Sequence, residues 1–454
     1  MSPLWPKDRA EQREPLDPSA LVGEIVAVWG AARSGRAAAN LLQKIGAHVV
    51  LSDNRPESEL DLEGIHPEVE VRGGGNVLAG ARWLVPSPGI RPGAKILEGL
   101  EGVRLISEIE LAAAVAQAPV VAITGTDGKS TTTLMCAAAI RGAGRPVVVA
   151  GNIGDPLCDH IHDVGPDGVV VAEVSAFQLW SCGHFRPQVA IITNVAEDHG
   201  DYFDHDRSAY ALAKARLLWD LEPGDTAILR RDDQVVWSMP NNPGVAQVGF
   251  SIHPQAEGWG YAEGQITLDG HPVMPDTAVP APGVHNVANA QAALAAGLAL
   301  GLPLDGLIAG LADFEGLPHR LQPVAEIAGV SWFDDSKATN PHAAAVGLRS
   351  LPGPIVAVVG GYDKGLDLDL MVQALHAQAR AVIYMGPAGQ RVAEALGEGL
   401  PLYPAEDMTS AVEQAQRLAQ PGDQVVLSPG ASSFDAYTSY AHRGRDFQRA
   451  VKAL

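Results

Sequence analysis

The chain has 454 residues, 46% hydrophobic and 19% charged, with a formal net charge of −21. That length exceeds one ordinary core and predicts two to four ordered domains. The acidic balance argues against nucleic acid as a partner but not against an anionic small molecule, because a bound phosphate feels only cations within roughly 8 Å at physiological salt.

No run of 18 apolar residues occurs, so no membrane span is expected. Residues 1–22 read as a loose polar leader without the apolar segment of a signal peptide. Cys136, Cys158 and Cys182 lack metal-ligand spacing and read as buried small hydrophobes in a reducing cytoplasm.

The first element is the apolar strand EIVAVWG, which runs through Ala31–Ala32–Arg33–Ser34–Gly35 into the helical stretch RAAANLLQKIG. A second strand, HVVLSD, ends at Asp53. Gly30, Gly35 and Asp53 resemble a dinucleotide fingerprint, but Ala32 stands where the middle glycine should let the pyrophosphate approach. A strand–loop–helix of this kind can hold phosphate on its free N–H groups, and a plain turn of small residues is an equal reading.

The second element group opens on VVAITGTDGKSTTT, residues 120–133. The usual phosphate-loop pattern wants glycine where Ile123 stands. The chemically active parts are nevertheless present. Gly125 and Gly128 permit a tight wrap, Lys129 supplies a point charge, and Ser130 or Thr131 can reach a metal ion. A helix is predicted through Ile140, with Gly142 placed to stop it.

The strand Val169–Glu173 ends in a carboxylate suited to Mg²⁺. The strand at 189–194 is followed by Glu197–Asp198–His199. A lone His199 is more often structural, but beside a phosphate loop and Glu173 it becomes a second metal ligand. Lys214, in YALAKARLLW, alone reads as a solvated charge. Residues 232–282 form a loop-rich or short-strand insertion, and PGVHNVANAQAALAAGLALG a helix. A third strand, PIVAVVGG, leads into Tyr362–Asp363–Lys364–Gly365.

This alternation predicts an α/β protein with parallel, doubly wound sheets in three domains. They are a Rossmann-like N-terminal domain (1–107), a central P-loop-type ATPase domain with a mostly parallel sheet (108–316) and a Rossmann-like C-terminal domain (317–454).

TGTDGKST, GNIG, AEVSAFQL, TNVAEDH, YALAKARLL, HNVANA, GLPHR and DDSKATNP, in that order, resemble the Mur ligases of bacterial cell-wall synthesis. The resemblance covers the chain from about residue 23, and DSKATNP after GLPHR is similar to the D-glutamate-adding branch. The family's short loop accounts for Ile123, while Asp127 stands where asparagine is more usual.

The resemblance implies a cytoplasmic, monomeric enzyme that uses ATP to join UDP-N-acetylmuramoyl-L-alanine to D-glutamate through an acyl phosphate. It implies that Gly125, Thr126, Asp127, Gly128, Lys129, Ser130, Thr131, Asn286, Arg320, Asp335 and Lys337 meet ATP. Ser130, Glu173, His199 and Lys214 would hold two Mg²⁺ ions, with Lys214 as a carbamate, and Lys129, Glu173, His199 and Lys214 would carry the chemistry. An ammonium close to Mg²⁺ is repelled, and the neutral amine is the form that adds CO₂.

Gly30, Ser34, Gly35, Asp53, Arg55, Ser87, Gly89 and Asn152 would meet the UDP-substrate, Asn152 near the reacting phosphate. Thr339, Lys364, Ser433 and Tyr440 would meet D-glutamate, Tyr440 at a place where the family often has phenylalanine. ATP would close the second and third domains together and exclude water. Without the resemblance, Asp335 and Lys337 read as a surface ion pair. The rival readings are an NAD-linked oxidoreductase, a non-catalytic nucleotide scaffold, a sister ligase for another amino acid and a folylpolyglutamate synthase-like ligase.

Overall fold

The structure is a computed structural model that describes residues 14–90, 97, 100, 102–196, 203, 206–281 and 283–454. It separates into two compact units, Met1–Pro280 with Val284–Phe314, and Glu315–Leu454 with Ala281–Gly283. The first unit holds two sheets and the second holds one.

The first sheet runs Glu70–Arg72, His48–Ser52, Ile25–Trp29, Trp83–Pro86, Arg104–Leu105, and every pairing is parallel. The strand order reverses at Ile25–Trp29, so the ends of that strand and of Trp83–Pro86, at Gly30 and Ser87, mark the switch point at which such sheets receive ligands. The helix Arg33–Ile45 packs on this sheet through Ala37, Ala38, Leu41 and Leu42. Left-handed Gly46 ends it. Part of the stretch expected to be a loose leader is built into this core. Leu16 and Leu21 are buried in it, and Asp17 caps the short turn Pro18–Leu21.

Among the described residues the central sheet has nine strands. Its parallel part includes, in order, Ala246–Phe250, Thr226–Arg230, Val189–Ile192, Val120–Thr124, Val169–Glu173 and Val147–Gly151. Val120–Thr124 is buried along its whole length, as a strand covered on both faces must be, which is why it reads as a continuous apolar run. Residues 232–282 supply the strands Ala246–Phe250, Trp259–Ala262, Gln265–Leu268 and His271–Pro275, the last three antiparallel, which extend this sheet.

The helix Lys129–Gly142 does not stop before Gly142, as expected, but includes it. A Cβ there would lie 2.2 Å from the Gly310 Cα of the helix Leu304–Ala312. Gly142 therefore serves close helix packing, and left-handed Gly144 follows the helix end.

The sheet of the second unit runs Gln322–Ile327, Val330–Asp334, Gln424–Leu427, Ile355–Gly360, Ala379–Met385, Leu402–Pro404, antiparallel only in its first pair. Neighbouring strand ends bring Asp334, Leu427 and Gly360 to one edge. None of the helices among the described residues is long and apolar enough to cross a membrane. The three cysteines are buried and unpaired in disulfides.

Candidate active site

The strands Val120–Thr124, Val169–Glu173 and Val189–Ile192 are adjacent and parallel, so the loops at their carboxyl ends gather on one sheet edge. The loop Gly125–Gly128 leads directly into the helix Lys129–Gly142. Gly125 has φ 151°, and a Cβ on it would fall 1.8 Å from Thr193 Oγ1. Gly128 has φ 81° and lies against the Asn289 side chain. Both positions exclude ordinary side chains.

The loop is held by its neighbours. Asn194 Oδ1 accepts the Asp127 N–H at 2.9 Å and its Nδ2 donates to the Asp127 carbonyl at 3.0 Å. Thr193 Oγ1 donates to the same carbonyl at 2.6 Å. The Asn289 Oδ1 accepts from Thr132 Oγ1 at 3.1 Å, and Asn289 Nδ2 donates to Asn286 Oδ1 at 3.0 Å. Asn286 thus reaches the loop through Asn289. Thr131 is buried in the first helical turn beside half-buried Ser130.

Two ammonium groups converge on one carbonyl. Lys129 Nζ donates to the Gly125 carbonyl at 2.9 Å and the Thr126 carbonyl at 2.8 Å. Lys214 Nζ donates to the Gly125 carbonyl at 2.8 Å and stands 4.1 Å from the centre of the Tyr210 ring. Lys214 is 1% exposed, so it is not the solvated charge that its helical setting suggests. A charge is kept inside a protein only where partners compensate it, and so much cationic character beside a glycine loop is an anion-binding arrangement.

Glu173 lies at the end of its strand, 2% exposed. Its Oε1 accepts from Asn152 Nδ2 at 2.7 Å, and its Oε2 is buried with no hydrogen-bond partner among the described residues. A buried carboxylate oxygen left unpaired in the protein fits a hard cation, which takes oxygen donors. Among the described residues no cluster of three acidic, histidine or cysteine side chains forms a metal site by itself. His199 lies outside the described residues.

The first glycine loop has a different chemistry. Asp53 Oδ2 accepts the Ala31 N–H at 2.8 Å, and its two oxygens accept from Arg55 Nε and Nη2 at 3.0 Å each. The Arg55 hydrogen bonds hold the Asp53 carboxyl well below the usual range. Gly30 has φ 100°, and a Cβ on it would meet Ser87 Cβ at 2.8 Å. Gly35 stands against the Gly30 carbonyl, and Ser34 lies in the first turn of the helix beside it. Ser87 Oγ accepts the Gly89 N–H at 3.3 Å.

In the second unit, Asp335 is 3% exposed and burial pushes its carboxyl up to about 7. Its oxygens accept from the Leu321 N–H at 3.2 Å and Ser428 Oγ at 2.9 Å. It is therefore a buried brace rather than half of a surface ion pair. Arg320 is exposed on a turn whose flanking residues, His319 and Leu321, have positive φ. That turn is pinned from both sides. His319 Nδ1 bonds Asp334 Oδ2 at 2.6 Å, and the His319 carbonyl accepts the Lys337 N–H at 2.8 Å.

Thr339 and Lys364 line one pocket with Asp363, Arg391 and Ser432. Ser433 is buried next to that lining, and the Tyr440 and His319 rings stand edge-on with their centres 6.2 Å apart.

Sequence reasoning missed several residues that hold these loops. Thr193 and Asn194 could have been found, because they directly follow the strand Val189–Ile192 beside the phosphate loop. Arg443 had no such signal. Its guanidinium is buried and donates to Ser336 Oγ at 3.0 Å, the Ser336 carbonyl at 2.9 Å and the Ala431 carbonyl at 3.0 Å. Burial lowers it to about 10.

Comparison with known proteins identifies the family. Residues 123–297 match the Mur ligase middle domain, and residues 319–431 the Mur ligase, glutamate ligase domain. A UDP-N-acetylmuramoylalanine–D-glutamate ligase of Salinibacter ruber is 39% identical over 94% of this chain and 97% of its own. One of the same name from Thiobacillus denitrificans is 38% identical over 96% of this chain and 97% of its own. The crystal structure of the UDP-N-acetylmuramate–alanine ligase of Thermotoga maritima shares the fold. Its TM-score is 0.61 at 19% identity, covering 95% of this chain and 100% of that one.

Proposed function

The chain belongs to the Mur ligase family, and we propose that it is the ATP-dependent ligase that adds D-glutamate to UDP-N-acetylmuramoyl-L-alanine in peptidoglycan precursor synthesis. The observation that carries the ligase reading is the convergence of Lys129 and Lys214 on the Gly125 carbonyl, at the edge where Glu173 keeps a buried unpaired oxygen. The choice of D-glutamate is supported by the relatives' names and by a pocket that joins Thr339 to the cation Lys364.

A carboxylate is a poor electrophile, so it is first phosphorylated by ATP, and the D-glutamate amine then displaces phosphate from the acyl phosphate. Lys129 and the N–H groups of Gly128–Ser130 at the helix start would hold the phosphates and neutralise charge as the γ-phosphoryl group transfers. Asp127, Thr131, Asn286, Arg320, Asp335 and Lys337 belong to the same assignment for ATP. Mg²⁺ supplies charge neutralisation there, and Glu173, Ser130, His199 and Lys214 are the residues that would hold it. Lys214 would act as a carbamate, formed when its neutral amine adds CO₂ and releases a proton, so that a cation beside the metal becomes an anion.

Gly30, Ser34, Gly35, Asp53, Arg55, Ser87, Gly89 and Asn152 are assigned to the UDP-substrate. With Arg55 and Ala31 occupying Asp53, the nucleotide would be received by free backbone N–H groups at the start of the helix Arg33–Ile45. Thr339, Lys364, Ser433 and Tyr440 are assigned to D-glutamate. We carry the division 1–107, 108–316 and 317–454 as the partition of these roles, in a cytoplasmic monomer.

The test is phosphate release from Mg²⁺-ATP with UDP-N-acetylmuramoyl-L-alanine. D-Glutamate would be compared with L-glutamate, L-lysine, meso-diaminopimelate and D-alanyl-D-alanine. Release with D-glutamate alone and a product of matching mass is expected. Release with another amino acid would move the chain to a sister ligase, and ATP binding without release under any condition would end the catalytic reading.

A further inference from the structure

The turn that carries Lys364 is held by a residue to which none of the roles above assigns a function. Asp363 Oδ1 accepts the Gly365 N–H at 2.9 Å, which closes an Asx turn with Lys364 at its middle. The same oxygen accepts from Arg391 Nη1 at 2.5 Å, and Arg391 Nη2 donates to the Leu366 carbonyl. One guanidinium, projecting from the helix Gly386–Leu396, therefore grips the chain on both sides of Lys364. Arg391, Asp363 and Lys364 all line the pocket that also contains Thr339.

We propose that Arg391 is a positioning residue for Lys364, and that it sets how tightly this pocket holds the carboxylate of the incoming amino acid. The inference rests on reading the pocket as the D-glutamate site. A lysine is a point charge on a flexible stem, and Lys364 is exposed, so its own packing cannot aim it. What fixes its reach is the backbone from which it starts. The turn contains left-handed Gly365 and lies outside any strand or helix, so without a brace it would pay ordering entropy when the amino acid binds. The planar fork of arginine reaches two acceptors at once, which an ammonium at the end of a lysine does not reproduce. Half-buried Arg391 and Asp363 are partly withdrawn from water, which strengthens the grip relative to a fully exposed pair.

The experiment is steady-state kinetics of the full chain with saturating Mg²⁺-ATP and UDP-N-acetylmuramoyl-L-alanine, varying D-glutamate. Arg391→Ala is expected to raise KM for D-glutamate on the order of tenfold, with kcat and the KM for ATP changed by less than about twofold. Arg391→Lys should fail to restore the wild-type KM, and Asp363→Asn, which keeps the turn but not the charge, should raise it by a smaller factor. Lys364→Ala reports on the pocket itself.

If Lys364→Ala raises KM and Arg391→Ala does not, the brace is wrong while the pocket stands. If Lys364→Ala leaves KM unchanged, the pocket reading fails and the proposal with it. A lower KM in Asp363→Asn would mean that Arg391, once released, touches the amino acid itself. A parallel rise in both KM values with a lowered Tm would reduce Arg391 to a structural role. Either result overturns the proposal.

Discussion

The loop after Ile25–Trp29 and the loop after Val120–Thr124 share a plan: a parallel strand, a glycine at positive φ, a short turn and a helix of similar length. Their electrostatics are opposite. The first is tied by a carboxylate, since Asp53 takes the Ala31 N–H and is itself neutralised by Arg55. The second is tied by cations, since Lys129 and Lys214 both donate to the Gly125 carbonyl. A loop whose anchor is an anion offers a ligand little beyond backbone N–H groups, whereas one anchored by ammonium groups brings mobile positive charge to the ligand. On the roles proposed above, the same backbone device would serve two anions of different charge, and the side chain that closes the loop would distinguish them.

Removing the cation from the second loop gives the sharpest contrast. Lys129→Ala should lower kcat for phosphate release on the order of a thousandfold. Replacing Arg55 by alanine in the first loop should act mainly on KM for the UDP-substrate. Comparable losses of kcat in both variants would erase the distinction.

Glycine replacement comes next. Gly125→Ala puts a Cβ 1.8 Å from Thr193 Oγ1 and Gly30→Ala puts one 2.8 Å from Ser87 Cβ, both at positive φ. Denaturant unfolding should show losses of about 3 kcal/mol and about 2 kcal/mol respectively. A larger loss at Gly30 would mean that the Thr193 side chain yields more readily than the packed Ser87.

The carboxylate that closes the first loop is the next contrast. Asp53→Asn keeps the shape and removes the charge, so it should destabilise by about 1–2 kcal/mol at neutral pH. Because the folded group is held below its unfolded value, the stability it contributes is present above the unfolded range near pH 4 and is lost as acid protonates the folded form. The difference between wild type and Asp53→Asn should therefore shrink on acidification, which paired melts at two pH values would measure.

A pH slope of opposite sign is expected elsewhere in the same unit. Glu108 and Glu110, on the helix Glu108–Val115, are pushed up to about 7 by burial. Glu108 Oε1 accepts the Cys158 N–H at 2.7 Å, and Glu110 Oε2 accepts the Gly183 N–H at 3.0 Å. Between the unfolded glutamate range near pH 4 and about 7, the folded chain keeps protons that the unfolded chain releases. Each group then contributes a fall in stability of at most about 1.4 kcal/mol per pH unit as pH rises. Glu110→Gln should flatten that slope in melts between pH 5 and 7, and an unchanged slope would assign it to other groups.

Much of this molecule is legible from short stretches. VVAITGTDGKST announces its strand, its glycine turns and its lysine because a phosphate loop is local: every atom of it comes from consecutive residues. The sequence by itself determined the alternation of strands and helices, since that depends on periodicity, and it placed Glu173 at a strand end. It misjudged Gly142 and the stretch from Leu16 to Leu21, whose roles come from what packs against them.

Tertiary structure alone decided that Lys214 is buried against the Gly125 carbonyl, that Asp335 points inward at Leu321 and Ser428, and that Arg443 and Arg391 hold loops far from them in the chain. Each of these is a charged side chain that looks solvated in sequence. Whether a charge meets water or a distant carbonyl is set by long-range strand order, and no local pattern encodes that.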